Sequence, residues 1–191
     1  TMSAHGSGAV LRSTRSDGLV INIDIGGGTT KIAHCRGGKV LQVTALDTGA
    51  RLLVLDEDGR ITRLESAGRI HADDVGADVS VGAKPDSGSL LAIADRMAER
   101  IVEAAGLAPL SEETEALLLI PPVSAADGID ALTFSGGVSE YLYGNETSTF
   151  GDLGPQLAAR MRDRIEALGV TMEAPVATIR ATVVGASQYT V

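Results

Sequence analysis

The stretch IDIGGGTTK, residues 23–31, decides how the rest of the chain is read. An apolar run ends in a carboxylate, Asp24, and passes at once to Gly26, Gly27 and Gly28 and then to the hydroxyls of Thr29 and Thr30. Glycines without a Cβ let backbone N–H groups approach an anion closely and adopt positive φ, so the turn is expected to form a phosphate-binding concavity. A carboxylate facing phosphate oxygens alone would repel them. Asp24 therefore implies Mg²⁺, held through water, as the counter-charge in phosphoryl transfer. Two other phosphate loops fail against the same residues. A Walker loop ending at Gly38 and Lys39 would need glycine where Ala33 stands and Ser or Thr where Val40 stands. A dinucleotide fingerprint would have to open a helix, whereas Lys31 and strand-forming residues follow Gly28. A plain hairpin turn would need fewer than three glycines.

A second segment, TFSGGVSEYLYG at residues 133–144, repeats the design: a strand, paired glycines, then the start of a helix. Gly136 and Gly137 would let a flat ring lie against the backbone. Glu140 in the first helical turn could accept from ribose hydroxyls. A strand-to-helix turn with Glu140 as a first-turn acid explains the same residues without a ligand.

Around these segments the apolar pattern predicts strands at Leu19–Ile25, 29–35 and Lys39–Leu46, linked by glycine turns as an antiparallel meander. A short hairpin follows at 51–64 around Asp58 and Gly59, and 68–88 reads as irregular. From Ser89 the period turns helical through Leu90, Ala94, Met97, Ile101 and Ala105, with Gly106 at the end. A shorter helix after Ser111 is expected to carry 117–120 and stop at Pro121 and Pro122. Residues 131–134 read as a buried strand, Leu157, Met161, Ile165 and Leu168 mark the last helix with Pro155 near its first turn and Gly169 after its end, and 178–184 read as a closing strand. This order predicts an α/β fold with a mixed five-stranded sheet: an antiparallel three-strand meander plus two parallel strands, flanked by helices, with a small hairpin insertion. The first 18 residues, TMSAHGSGAVLRSTRSDG, read as a polar lead-in or linker, and 19–191 as the lobe.

Composition narrows the partners. The chain has 191 residues, 44% hydrophobic and 21% charged, the ordinary globular balance. Twenty-five acidic against 16 basic residues give −9, the wrong sign for a broad grip on nucleic acid or an anionic membrane. No apolar run is of membrane-spanning length and no apolar signal core opens the chain, so the expectation is a cytoplasmic protein. One cysteine, Cys35, and three scattered histidines exclude an internal disulfide and a structural zinc site. Cys35 and His34 read as packing residues, Lys31 and Arg51 as solvent-facing with Arg51 able to meet a partner, Asp56 to Gly59 as a polar turn, and Asp73 with Asp74 as a solvated pair. The 23 glycines exceed the usual share and favour a ligand.

Together the two glycine segments resemble the superfamily of actin, sugar kinases and heat-shock chaperones, in which nucleotide lies between two ribonuclease-H-like lobes. IDIGGGTTK looks like its second phosphate motif and TFSGGVSEYLYG like its adenosine motif. Within it, NIDIGGGTTKIA, GARLLVLDEDGRI, FSGGVSE and IRATVVGA are similar to the ethanolamine ammonia-lyase reactivating factors, the EutA family, over most of residues 19–186. The resemblance implies a ribonuclease-H-like lobe with ATP and Mg²⁺ as cofactors. Asp24 would lie near the metal and the attacking water, Gly26, Gly27, Gly28, Thr29 and Thr30 around the phosphates, and Gly136, Gly137 and Glu140 beside the nucleoside. It implies ethanolamine ammonia-lyase as partner, hydrolysis driving exchange of damaged cobalamin carried by that client, and a bacterial microcompartment as the setting. Even the lead-in SAHGSGA resembles what precedes the second phosphate motif in that family, so the chain is expected to begin partway through a longer protein. An earlier DxG phosphate motif in an N-terminal lobe would complete the cleft; Asp47, Thr48 and Gly49 do not supply it, because Ala50 and Arg51 follow in place of a threonine pair. A small-molecule kinase or a filament-forming ATPase would share the fold.

Overall fold

The computed structural model describes residues 2–15, 17–182 and 186. In chain order the elements are helices α1 (Met2–Gly6) and α2 (Ala9–Arg12), strands β1 (Leu19–Ile25), β2 (Thr30–Arg36), β3 (Lys39–Leu46), β4 (Leu53–Leu55) and β5 (Ile61–Leu64), and helices α3 (Ser66–Asp74), α4 (Ser87–Ala104) and α5 (Glu112–Glu115). Strand β6 (Ile129–Ser135), helices α6 (Gly137–Leu142) and α7 (Gly154–Leu168), and strand β7 (Met172–Glu173) complete the list. A five-stranded sheet runs β3-β2-β1-β6-β7, and β4 pairs with β5 apart from it. β1 is antiparallel to β2 and β2 to β3, while β1 to β6 and β6 to β7 are parallel. The mixed α/β sheet, its meander and its hairpin insertion are therefore as expected.

The alternation along β1 explains its central place. Leu19, Ile21, Ile23 and Ile25 face the main core together with Ile93, Met97 and Ile101 of α4, Phe134 of β6 and Leu157 and Met161 of α7. Val20 faces the other way, with Ala33 and Cys35 of β2. A strand buried on both faces needs cover on both, and α1 and α2 supply it: Ala4, Ala9 and Val10 pack on Val20. The first 18 residues thus differ from a linker. Arg12 of α2 ties this cover to the sheet, reaching Asp130 at 2.7 Å and Glu173 at 2.7 Å. The lead-in is short and glycine-broken, so helical period is too brief to read there without its packing partner.

Three other expectations are corrected. Residues 68–88 are not wholly irregular, because α3 occupies Ser66–Asp74 with His71 and Ala72 fully buried. Residues 117–120 are not helical: α5 ends at Glu115, Leu118 bridges to Leu46 and the Leu119 amide donates to the Ala45 carbonyl at 2.8 Å. Pro121 and Pro122 disfavour helix in what precedes them, and the β3 edge offers unpaired carbonyls. The closing strand is β7, not 178–184. Residues 178–182 form a turn entering a helical start, and Val183 and Val184 lie outside the described residues. The long helix is as read: Asp86 caps α4 by accepting from the Ser89 amide at 3.0 Å, and α7 (Gly154–Leu168) has Pro155 in its first turn and Gly169, with φ 65°, as its C-cap.

Candidate functional site

Because β1 and β6 are parallel neighbours, both chains leave the sheet at the same edge. Asp24 stands opposite Ser135 in the register, so the turn at residues 26–28 and the turn at 136–137 emerge side by side. The contact is tight. Gly136 has φ +85°, and a Cβ there would stand 2.3 Å from the Ile25 carbonyl oxygen and 2.8 Å from Asp24 Oδ1. Only glycine fits. Gly137 opens α6 and has no atom within 4 Å of a notional Cβ. The two motifs, over a hundred residues apart in sequence, form one wall.

The first turn is built differently from the sequence expectation. None of Gly26, Gly27 and Gly28 has positive φ. The Gly26 amide is spent on the Thr29 carbonyl at 3.0 Å, and the Gly26 and Gly27 carbonyls accept from the Ala50 and Arg51 amides at 3.0 and 2.6 Å. The reason for small residues is the approach of a second backbone. A Cβ on Gly49 would lie 2.6 Å from the Gly27 carbonyl, and one on Gly27 would lie 3.2 Å from Arg51 Cδ. Gly28 is exposed with open space before it, and Thr29 is half-buried. Thr30 is a further correction: it is fully buried and its hydroxyl donates to the Thr48 carbonyl at 2.7 Å, so it braces the turn from behind.

Asp24 is 7% exposed and lies on the sheet face of Val20 and Asn22. Beside it Asn22 donates to Ser135 at 3.3 Å and accepts from Thr133 at 3.0 Å, which fixes that face. The Thr182 hydroxyl donates to Asp24 Oδ2 at 3.4 Å. Among the described residues no three His, Cys, Asp or Glu side chains gather to hold a metal. One carboxylate with water and phosphate is nevertheless an ordinary Mg²⁺ donor set, and Asp24 fits it.

Between the turns lies a cavity of about 240 Å³ lined by Gly26, Gly27, Ala50, Arg51, Gly137, Val138 and Glu140 and walled by Tyr141, Glu146, Phe150, Asp152 and Ile179. The outer wall is pinned to the inner one. The Leu153 amide donates to the Ala50 carbonyl at 2.9 Å, and the Leu55 amide to the Gly151 carbonyl at 2.6 Å. Glu140, predicted to meet ribose, accepts from the Thr178 hydroxyl and from the Ile179 amide at 3.2 Å, and so fastens residues 178–179 over the cavity. Glu146 accepts from the Ser148 and Thr147 amides at 2.7 and 2.8 Å, which hold its carboxyl below the usual range. Burial, then Asp152 and Glu146, push the Tyr141 phenol up. Phe150 is 59% and Ile179 63% exposed, apolar surface flanking the opening.

Arg51, set aside in the sequence as a loop arginine, lines this cavity, its Nε 3.8 Å from Asp152 Oδ2. Tyr141, Phe150 and Asp152 are not singled out in the sequence, and Thr48 and Gly49 are weighed there only as a first phosphate motif. For Gly49 and Arg51 a signal existed in GARLLVLDEDGRI; for the others the contact is tertiary. Lys31 is exposed, as expected, and Asp74 is not simply solvated, since it pairs with Arg100. No helix among the described residues is long and apolar enough to cross a membrane.

The family described as ethanolamine utilisation protein EutA matches residues 1–191. A curated relative from Salmonella typhimurium (strain LT2), named ethanolamine ammonia-lyase reactivase EutA, is 35% identical over 197 residues, covering 99% of this chain and 41% of the relative. The same-named protein of Escherichia coli (strain K12) is 33% identical over 194 residues, again covering 99% and 41%. The chain thus spans about two-fifths of the length of these curated relatives. Among solved structures, component A of the Acidaminococcus fermentans (R)-2-hydroxyglutaryl-CoA dehydratase aligns over 98% of this chain and 66% of its own, with 15% identity and TM-score 0.47.

Proposed function

The chain belongs to the ethanolamine utilisation protein EutA family, and from that premise we propose that it is an ATP-binding lobe of a reactivase acting on ethanolamine ammonia-lyase. The observation that carries the reading is the convergence of the two glycine turns at the ends of β1 and β6, with the cavity between them. In this reading the nucleoside lies against Gly136 and Gly137, with Phe150 and Ile179 flanking it. The phosphates pass Gly27 and Gly28, where no Cβ blocks the backbone.

Mg²⁺, when bound, supplies positive charge to the phosphates. Asp24 would hold it and orient water from the strand end, and its burial keeps the carboxylate in one place. Thr30 holds the turn through Thr48. Glu140 keeps residues 178–179 over the nucleoside. Arg51, beside Gly27, faces the phosphate path as the nearby cation.

The cavity is smaller than the roughly 300–1,000 Å³ of a complete ligand pocket. The proposal accordingly includes a second lobe carrying a DxG phosphate motif as the other half of the cleft. Phosphates bridging two lobes bind the closed state better than the open one, so binding and hydrolysis would drive lobe movement and, in the client, exchange of damaged cobalamin.

The experiment is calorimetric titration of Mg·ATP into this chain and, in parallel, into a protein carrying both lobes. Weak binding here with tight binding there supports the half-cleft. Equal tight binding places the whole site in this lobe and removes the second-lobe part. In the two-lobe protein, Asp24→Ala is expected to abolish Mg²⁺-dependent ATP turnover with the melting temperature retained; unchanged turnover would take Asp24 out of the mechanism.

A further inference from the structure

Behind the phosphate turn runs a line of buried polar groups that the site does not otherwise use. Arg100 of α4 is 2% exposed and His71 of α3 is 0% exposed. Arg100 reaches His71 Nδ1 at 2.9 Å, and its other terminal nitrogen pairs with Asp74. On the far side of the ring, His71 Nε2 is 3.0 Å from the Thr48 hydroxyl. Thr48 is itself 0% exposed, and its carbonyl takes the Thr30 hydroxyl at 2.7 Å.

Chemistry sets the direction of every bond. A guanidinium only donates, so His71 Nδ1 must accept and the ring proton sits on Nε2, donating to Thr48. Burial, reinforced by Arg100 and Arg96, pushes the His71 pKa down to about 3, so the ring stays neutral and the polarity does not reverse near neutral pH. The line ends on the segment that clamps the turn. Immediately after Thr48, Gly49 touches the Gly27 carbonyl, and Ala50 and Arg51 donate to Gly26 and Gly27. Helix α3 grips the same segment a second time: a Cβ on Gly68 would lie 2.7 Å from the Leu52 carbonyl oxygen, and the Glu65 amide donates to that carbonyl at 2.8 Å.

We propose that His71 is a positioning residue for the phosphate turn: held by Arg100, it fixes Thr48 and through residues 49–51 sets the backbone of Gly26 and Gly27. Its consequence for nucleotide rests on the ATP reading above, whereas its effect on the turn does not. A ring that merely filled space could be replaced by another ring. A ring that acts through two directed bonds can be replaced only by a group that accepts at one end and donates at the other, which Gln does and Phe does not.

The test uses the ligand-free protein first. Amide hydrogen exchange of Ala50 and Arg51 is compared in wild type, His71→Phe and His71→Gln, with Thr48→Val as the second route should the Phe variant fail to fold around Arg100. The expected result is exchange about tenfold faster in His71→Phe or Thr48→Val, the size of one lost buried hydrogen bond, with β2–β3 amides unchanged and His71→Gln near wild type. Mg·ATP titration of the same substitutions in the two-lobe protein is expected to show about tenfold weaker binding for Phe and Val and little change for Gln. Wild-type protection at Ala50 and Arg51 in both breaking variants overturns the proposal, as does equal behaviour of Phe and Gln. Altered exchange with unaltered Mg·ATP affinity overturns its link to phosphate. If the wild-type two-lobe protein itself binds no nucleotide, the ATP reading falls, and the exchange result alone decides the positioning role.

Discussion

Gly136 and Gly137 are neighbours in sequence with opposite demands. A side chain at Gly136 meets a carbonyl oxygen at 2.3 Å and a backbone in the left-handed region, whereas Gly137 opens onto space. Gly136→Ala is expected to cost about 3 kcal/mol, read from denaturant midpoints, and Gly137→Ala to stay within about 0.5 kcal/mol of wild type. If the nucleoside lies on Gly137, that second variant still loses Mg·ATP affinity, separating a folding glycine from a binding one. Gly27→Val meets Arg51 and narrows the phosphate path; loss of Mg·ATP binding in a folded variant is expected, and wild-type affinity would refute the assignment. Cys35 is fully buried, and burial pushes its thiol up to about 11. Maleimide at pH 8 is therefore expected to label it only as fast as the chain unfolds.

At the scale of the element, α3 is the informative helix. Its buried His71 titrates far below its ordinary 6.5 in the folded chain, so on acidification the unfolded chain takes up the proton first. Stability from this group is complete above pH 6.5 and drains as pH falls from there toward 3, by up to about 1.4 kcal/mol per unit. Between pH 7 and pH 5 the wild type should lose about 2 kcal/mol more than His71→Gln in urea unfolding. Equal losses would show that the buried ring is not the source. His34, whose pKa burial also lowers, adds in the same direction.

For the whole molecule, the two-faced burial of β1 makes α1 and α2 part of the fold. Removing residues 1–15 uncovers Val20, Ala33 and Cys35 and frees Asp130 and Glu173 from Arg12. Such a truncation is expected to lower the melting temperature by about 5 °C or more and to make Cys35 reactive with maleimide in the native state. An unshifted midpoint with Cys35 still protected would mean that the sheet face closes without the helices.

Local pattern alone was enough for the elements with long, clean periods. LVINIDI, KVLQVTAL, the run from Leu90 to Ala105 and the run closed by Gly169 declare themselves, and Asp24 with its glycines marks the candidate site in the sequence. Elements of two to five residues carry too few periods to declare themselves, so α1, α2 and β7 emerge only with their packing partners. The site divides in the same way. Residue type and spacing singled out the two glycine motifs, because a missing Cβ is a property of the residue. That Thr30 braces from behind, that Arg51 lines the cavity and that His71 stands behind Gly27 depend on segments far apart in the chain. Only the parallel pairing of β1 with β6 and the seating of α3 on Leu52 bring them together, since hydrogen bonds act over about 3 Å and sequence separation says nothing about that distance.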